Sequence, residues 1–265
     1  MPKNRYKFWW QSQSKKRRKF WEPRFQSTKN KFLQHHSGGH EFDWSHLHFW
    51  KKPEWQEIQD FIKLQKERGV VINPSYNISD ILKPLELTPF KNVKILILGQ
   101  DPYAKEGQAD GIAFSSLPNR RKIPGSLQTI FKSYRRDTGY RYPTTGDLRN
   151  WCRNGVLLGN TLWTVESGKR KSHYWINSKK LWQKLTEEII QVLNEKKEKM
   201  VFIFMGRVAQ EHAYLVRKTT KHLVLEVPHP SPFNNIQPGP KFEDYEIFKK
   251  SCEFLNIDTK IWRLP

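Results

Sequence analysis

Lys94–Ser116 reads KILILGQDPYAKEGQADGIAFSS. An apolar run, Val93–Leu98 with Lys94 as its one break, stops at Gly99, and the turn behind it carries Gln100, Asp101 and Tyr103. The run is too short for a helix and too evenly apolar for a strand with one wet face, which predicts a strand covered on both sides. Three further runs share that character: Val156–Leu158, Val201–Met205 and Leu223–Val227. The intervals between them carry helical spacing, so crossovers join the strands and the sheet is largely parallel. The expected fold class is α/β, a single domain on a short, largely parallel four-stranded sheet with helices on both faces. Open sheets of this kind bind ligands beyond the carboxyl ends of their strands. Behind the four runs stand Gly-Gln-Asp-Pro-Tyr, Gly-Asn-Thr, Gly-Arg and Pro-His-Pro-Ser-Pro. One site assembled from four loops is the consequence.

Outward from the sheet, Pro53–Arg68 predicts a helix with proline in its first turn and Trp55, Ile58, Ile62 and Gln65 on one side. SLQTIFKSYRRD predicts another with Ser126 as its N-cap. A third starts near Asn177, where Leu181, Leu185, Ile189 and Val192 recur at helical spacing.

The chain has 265 residues, with 47 Lys and Arg against 26 Asp and Glu, a net charge of +21. Such an excess points to a polyanionic partner, but DNA, RNA and acidic membrane all reward the same cations. Residues 1–43 are expected to form a flexible, basic arm ahead of a globular 44–265. Within the first forty, eleven basic side chains face Glu22 alone, KKRRK occupies Lys15–Lys19, and Phe8, Trp9, Trp10, Phe20, Trp21 and Phe25 are interleaved. The run reads equally as a nuclear import signal, a phosphate contact or a solvated stretch, and the rings as base stackers, partner anchors or packing. From Glu41 onward the net charge is still +11, so the globular part also presents a positive face.

Cys152 and Cys252 stand outside any C-x-x-C pairing, which argues against a disulfide scaffold or a thiolate zinc site. His35, His36, His40, His46 and His48 lack thiolates and a regular ligand spacing, so no metal is expected there. No apolar run approaches the ~20 residues that span a bilayer, and the N-terminus lacks the apolar core of a secretory signal. A soluble, intracellular protein is the expectation.

Taken singly, the motif residues have bland readings. Asp-Pro-Tyr is a turn, His-Pro-Ser-Pro a rigid loop, Phe114 a core ring, Tyr103 a capping ring and Asn160 a strand-end turn residue. Jointly they say more. GQDPY with GQADGIAFS, then GVLLGNTLWTV, then PHPSPF, in this order and spacing, resemble the family-1 uracil-DNA glycosylases. The likeness covers nearly all of the globular part, including LTPFKNVKILILGQDPY and VFIFMGRVAQ.

That resemblance implies hydrolysis of the N-glycosidic bond between uracil and deoxyribose after the base is flipped out of the helix, with neither metal nor organic cofactor. As the bond breaks, the sugar gains oxocarbenium character and the uracil gains negative charge. Asp101 is implied beneath the sugar, where a carboxylate favours the cation and orients or activates water. His229 is implied to donate to uracil O2 as a neutral imidazole. Asn160 would accept from N3–H and donate to O4, a pattern that cytosine reverses. Phe114 would stack on the base, Tyr103 would fill the place of a thymine methyl, and Gln100 would offer a backbone contact. Ser126, Gly206, Arg207 and Ser231 match segments whose hydroxyls and N–H groups meet flanking phosphates. Phe233 stands where the family commonly has a leucine wedge for the minor groove.

The implied partner is uracil-containing DNA, single- or double-stranded, met by a monomer without a membrane; the arm is free to meet a replication or repair protein. The implied compartment is the nucleus of a eukaryotic host, or otherwise the cytoplasm. A competing reading keeps the fold as a DNA-binding or replication-partner module with weak or no catalysis; such a module has no need of an aspartate and a histidine at one pocket. The chain also departs from the family pattern. Ala104 replaces a histidine that helps hold the catalytic water, Lys105 and Glu106 replace small or proline residues, Gly125 replaces a proline, Gly159 an apolar residue and Arg207 a serine.

Overall fold

The computed structural model describes residues 43–117, 122–174, 178–216, 221–236 and 238–265. The chain divides into Met1–Ser45 and His46–Pro265. Apart from Asp43, the arm expected over residues 1–43, with its basic run and its rings, lies outside the described residues.

In chain order the second unit contains α1 (Pro53–Glu67), β1 (Ile72–Asn73), α2 (Ile78–Ile81), α3 (Lys83–Leu87), β2 (Ile95–Gly99), α4 (Gly125–Thr138), α5 (Arg149–Arg153), β3 (Val156–Asn160), β4 (Val165–Glu166), α6 (Ser178–Asn194), β5 (Val201–Met205), α7 (Arg207–Gln210), β6 (Leu223–Val227), α8 (Pro232–Ile236) and α9 (Ile247–Leu255). The four expected strands form one parallel sheet in the order β3-β2-β5-β6, with Ile95 level with Val156 and Val201, and Val201 level with Leu223. β1 and β4 make a separate antiparallel pair. Every residue of β2, β3 and β5 is buried, as continuous apolar runs require. The edge strand β6 differs: Leu223–Glu226 are only partly covered, so its outer flank is wetter than its composition suggests.

Alternation divides the strands between two cores. On one side Ile95, Ile97, Val156, Leu158, Val201 and Ile203 meet Leu127, Ile130 and Phe131 of α4, Trp151 of α5 and Phe248 of α9. Each such side chain contributes about 1.5–3 kcal/mol by leaving water. Trp262, near the C-terminus, packs edge-on against Trp151 and Phe248 at 5.3 and 4.8 Å, and its carbonyl accepts from Trp151 Nε1. The opposite side chains, Leu96, Leu98, Leu157, Phe202 and Phe204, are equally buried.

α1 forms where expected and buries Trp55, Ile58 and Ile62. α4 corrects the expected cap. Pro124 holds the N-cap position at φ −57° and ψ 145°, the helix starts at Gly125, and Ser126 lies inside the first turn without a capping bond. Proline suits that boundary because its fixed φ needs no N–H partner. α6 buries Trp182, Leu185, Ile189, Ile190 and Leu193 while Leu181 and Val192 are half-covered, a stripe rotated from the expected one. Cys152 and Cys252 are free and buried. No helix among the described residues is long and apolar enough to cross a membrane.

Candidate active site

The parallel register brings the carboxyl ends of β2 and β3 level, with Gly99 opposite Asn160. A Cβ on Gly99 would lie 2.6 Å from Asn160 Oδ1 and 3.0 Å from the Phe114 ring, so glycine permits amide and ring to close on the strand end. A Cβ on Gly206, beyond β5, would lie 2.8 Å from His229 Cβ. Phe114 and His229 stand 5.9 Å apart between ring centroids, and Tyr103 Oη donates to the Phe114 carbonyl at 2.8 Å. Four loops therefore converge, and they bring Tyr103, Phe114, Asn160 and His229 together beside Asp101.

Two of these groups have unused hydrogen-bonding capacity. Asn160 is 5% exposed, yet its side-chain amide makes no hydrogen bond among the described residues, and neither does either ring nitrogen of His229. Neither group is sealed from solvent among the described residues, and an amide offers both an acceptor and donors to whatever enters. Phe114 adopts φ 63°, a left-handed backbone that costs a bulky residue on the order of 1–3 kcal/mol. Its flanks hold it there. Ser115 Oγ donates to Asp110 Oδ2 at 2.8 Å, Ile112 N–H donates to Asp110 Oδ1 at 3.2 Å, and Arg149 lies 3.4 Å from the same buried carboxylate.

Asp101 accepts from Gln100 Nε2 at 2.8 Å and from the Lys171 backbone N–H at 2.9 Å. Burial raises its pKa above the ordinary carboxylate value, against those bonds and the charges of Lys171 and Arg170. His229 is held down to about 4, first by burial and then by Arg170 and Lys171, so the imidazole is neutral near pH 7. Burial also keeps the Tyr103 phenol protonated as a donor. Besides the backbone contact to the base expected of it, Gln100 binds the carboxylate through its side chain.

The Ser167–Lys171 loop is the part of the site that sequence reasoning missed. Ser167 N–H donates to Val71 O at 2.8 Å and Gly168 N–H to Ala104 O at 2.7 Å, before Lys171 reaches Asp101. Asn73 Nδ2 holds the Tyr103 and Ala104 carbonyls at 3.0 and 2.9 Å. Lys171 has φ 60°, which turns its N–H toward the carboxylate. A run of Lys169, Arg170 and Lys171 carries no sequence signal of that orientation. Ala104 contributes its carbonyl to this lattice.

Beside the pocket lies a cleft of about 800 Å³ whose wall includes Tyr103, Ser126, Ser231 and Phe233. Asp101, Phe114, Asn160 and His229 do not line it, and Tyr103 is the residue it shares with them. Gly206 and Arg207 are also absent from its wall, and the Gly206 N–H is engaged by Val227 O at 2.8 Å, which takes away the phosphate donor expected of it. Ser231 Oγ accepts from Asn234 N–H at 3.3 Å and keeps its own proton to donate. Phe233 is 67% exposed, and Ile236, which sequence reasoning passed over, is 76% exposed one helical turn later.

The sequence model of the Uracil DNA glycosylase superfamily matches residues 86–253. A uracil-DNA glycosylase of Enterococcus faecalis is 41% identical over 215 residues, 81% of this chain and 91% of its own. One from Coxiella burnetii is 42% identical over 184 residues, 69% and 78% of the two chains. The crystal structure of mimivirus uracil-DNA glycosylase has the same fold, with a TM-score of 0.71 at 23% identity over 84% of this chain and 86% of that one.

Proposed function

The chain belongs to the uracil-DNA glycosylases, and on that premise we propose which of its residues carry the reaction. The enzyme is a hydrolase that removes uracil from DNA, the opening step of base-excision repair. The observation that carries the residue assignment is the Asn160 amide and the His229 imidazole, both without side-chain hydrogen bonds among the described residues, beside one aromatic ring and one hydrogen-bonded carboxylate.

The C1′–N1 bond breaks with its electron pair leaving on uracil. Neutral His229 donates to O2 as that charge grows, while Asn160 accepts from N3–H and donates to O4. Ionised Asp101 faces the cationic sugar and takes the proton of the water that adds to C1′. Products are an abasic site and uracil, which regains a proton after it leaves. Phe114 stacks on the flipped base, and Tyr103, fixed by its bond to the Phe114 carbonyl, excludes a C5 methyl. Gln100 and the Lys171 N–H orient Asp101, in place of any side chain at Ala104.

Ser126, Ser231 and Arg207 meet phosphates, Gly206 admits His229, and Phe233 enters the stack that the base vacates. Residues 1–43 add electrostatic attraction to DNA and a docking element for a repair or replication partner. Oligonucleotides with one uracil, single- and double-stranded, incubated with the protein and then treated with alkali, test this reading. Scission by the parent chain and its loss in Asp101→Asn, with DNA affinity kept, is the expected result. Full activity in that variant would remove Asp101 from the mechanism.

A further inference from the structure

The wall of the cleft at Tyr103 also carries Lys105, Lys122 and Arg170, all exposed, and no carboxylate among the described residues. None of the three makes an ion pair among the described residues, whereas Lys52, Lys83, Lys169 and Lys184 elsewhere all do. Glu106, next in the chain to Lys105, is not on the wall. The three cations come from three separate segments: the turn after β2, the entry to α4 and the loop that binds Asp101. Like charges brought together from separate segments repel, and no carboxylate on the wall offsets it, Asp101 behind the wall acting on Arg170 alone of the three. A chain of anions crossing the cleft would.

We propose that Lys105, Lys122 and Arg170 form a second line of phosphate contacts, along which the backbone of the uracil-bearing strand runs past Tyr103, opposite the hydroxyls of Ser126 and Ser231. The inference rests on the uracil-DNA reading and deepens it, since it names a grip supplied by side chains that the motifs leave unassigned. Arg170 is the member nearest the chemistry. Its charge acts on both Asp101 and His229, and its neighbour Lys171 supplies the N–H bound to Asp101. A phosphate on Arg170 would therefore anchor the strand beside the reacting sugar.

The test is the salt dependence of binding to a uracil-free single-stranded oligonucleotide, read by fluorescence anisotropy from about 50 to 200 mM salt. For a variant carrying Lys105→Gln, Lys122→Gln and Arg170→Gln, the slope of log Kd against log salt should fall by about 2, since each single-strand phosphate contact contributes roughly 0.7. A control with Lys63, Lys66 and Lys250 changed to Gln, outside the cleft, should keep the parental slope. Arg170→Lys should restore most of what Arg170→Gln alone removes. An unchanged slope in the cleft variant, or an equal fall in the control, would overturn the proposal. Binding of free uracil checks that the variant is folded and its pocket intact. Because affinity is measured without catalysis, failure of the parent to excise uracil would count against the functional reading and leave the slope to judge the cleft.

Discussion

At Asp101, burial raises the pKa while two hydrogen bonds and two nearby cations hold it back. The carboxylate must be ionised to act, so activity should be present at neutral pH and be lost as the pH falls through a value above that of an ordinary aspartate. His229 is held down to about 4, so the imidazole is already neutral across the neutral range and its role there does not require it to lose a proton. The pH dependence of kcat checks this, and a limb at or below the ordinary carboxylate value would contradict it. Asp101→Asn should cut kcat by roughly 10²–10³-fold, the range for a lost electrostatic stabiliser. Tyr103 separates two effects. Tyr103→Ala should gain excision of thymine, whereas Tyr103→Phe keeps the ring, drops only the bond to Phe114 O, and should still reject thymine. Thymine release by the phenylalanine variant would mean that the hydrogen bond, not the ring, sets the discrimination.

Among the elements, β3 shows how a family departure is absorbed. Gly159 sits in an intact register opposite Leu98, and a Cβ there would meet only Leu98 Cδ1 at 3.8 Å and Trp163 Cζ2 at 4.0 Å. Gly159→Ala should therefore stabilise by about 0.5–1 kcal/mol. Thermal unfolding should show a Tm rise of roughly 1–4 °C, with uracil excision unchanged. Gly125 behaves in the opposite way. A Cβ there would lie 2.8 Å from Pro232 Cγ, so the start of α4 and the loop carrying Phe233 touch across a position that a side chain would pry open. Gly125→Ala should weaken DNA binding several-fold with little change in far-UV circular dichroism, and unaltered affinity would show that the two loops move independently.

For the molecule as a whole, the sheet, α4, α5 and α9 share one core that the C-terminal Trp262 completes. Trp262→Ala should cost about 3–5 kcal/mol in urea unfolding, a loss read far from the site but felt by every loop that the sheet carries. Much of the architecture was legible because it depends on short-range pattern. Runs such as Val201–Met205 are strands by length and composition, and Asp101, Asn160 and His229 fall where parallel strands end. The motifs likewise carried the family and, with it, the reaction. Other features depend on how distant segments pack. Nothing local says that Lys171 turns its N–H onto Asp101, or that the Gly206 N–H is spent on Val227. The shared cleft of Lys105, Lys122 and Arg170 is of the same kind. Periodicity and residue type determine which strands form and which chemistry their ends can offer, since both act over a few neighbouring residues. Hydrogen-bond direction, burial and the meeting of unpaired charges were decided only by the tertiary structure, because each depends on groups some tens of residues apart arriving within a few ångströms.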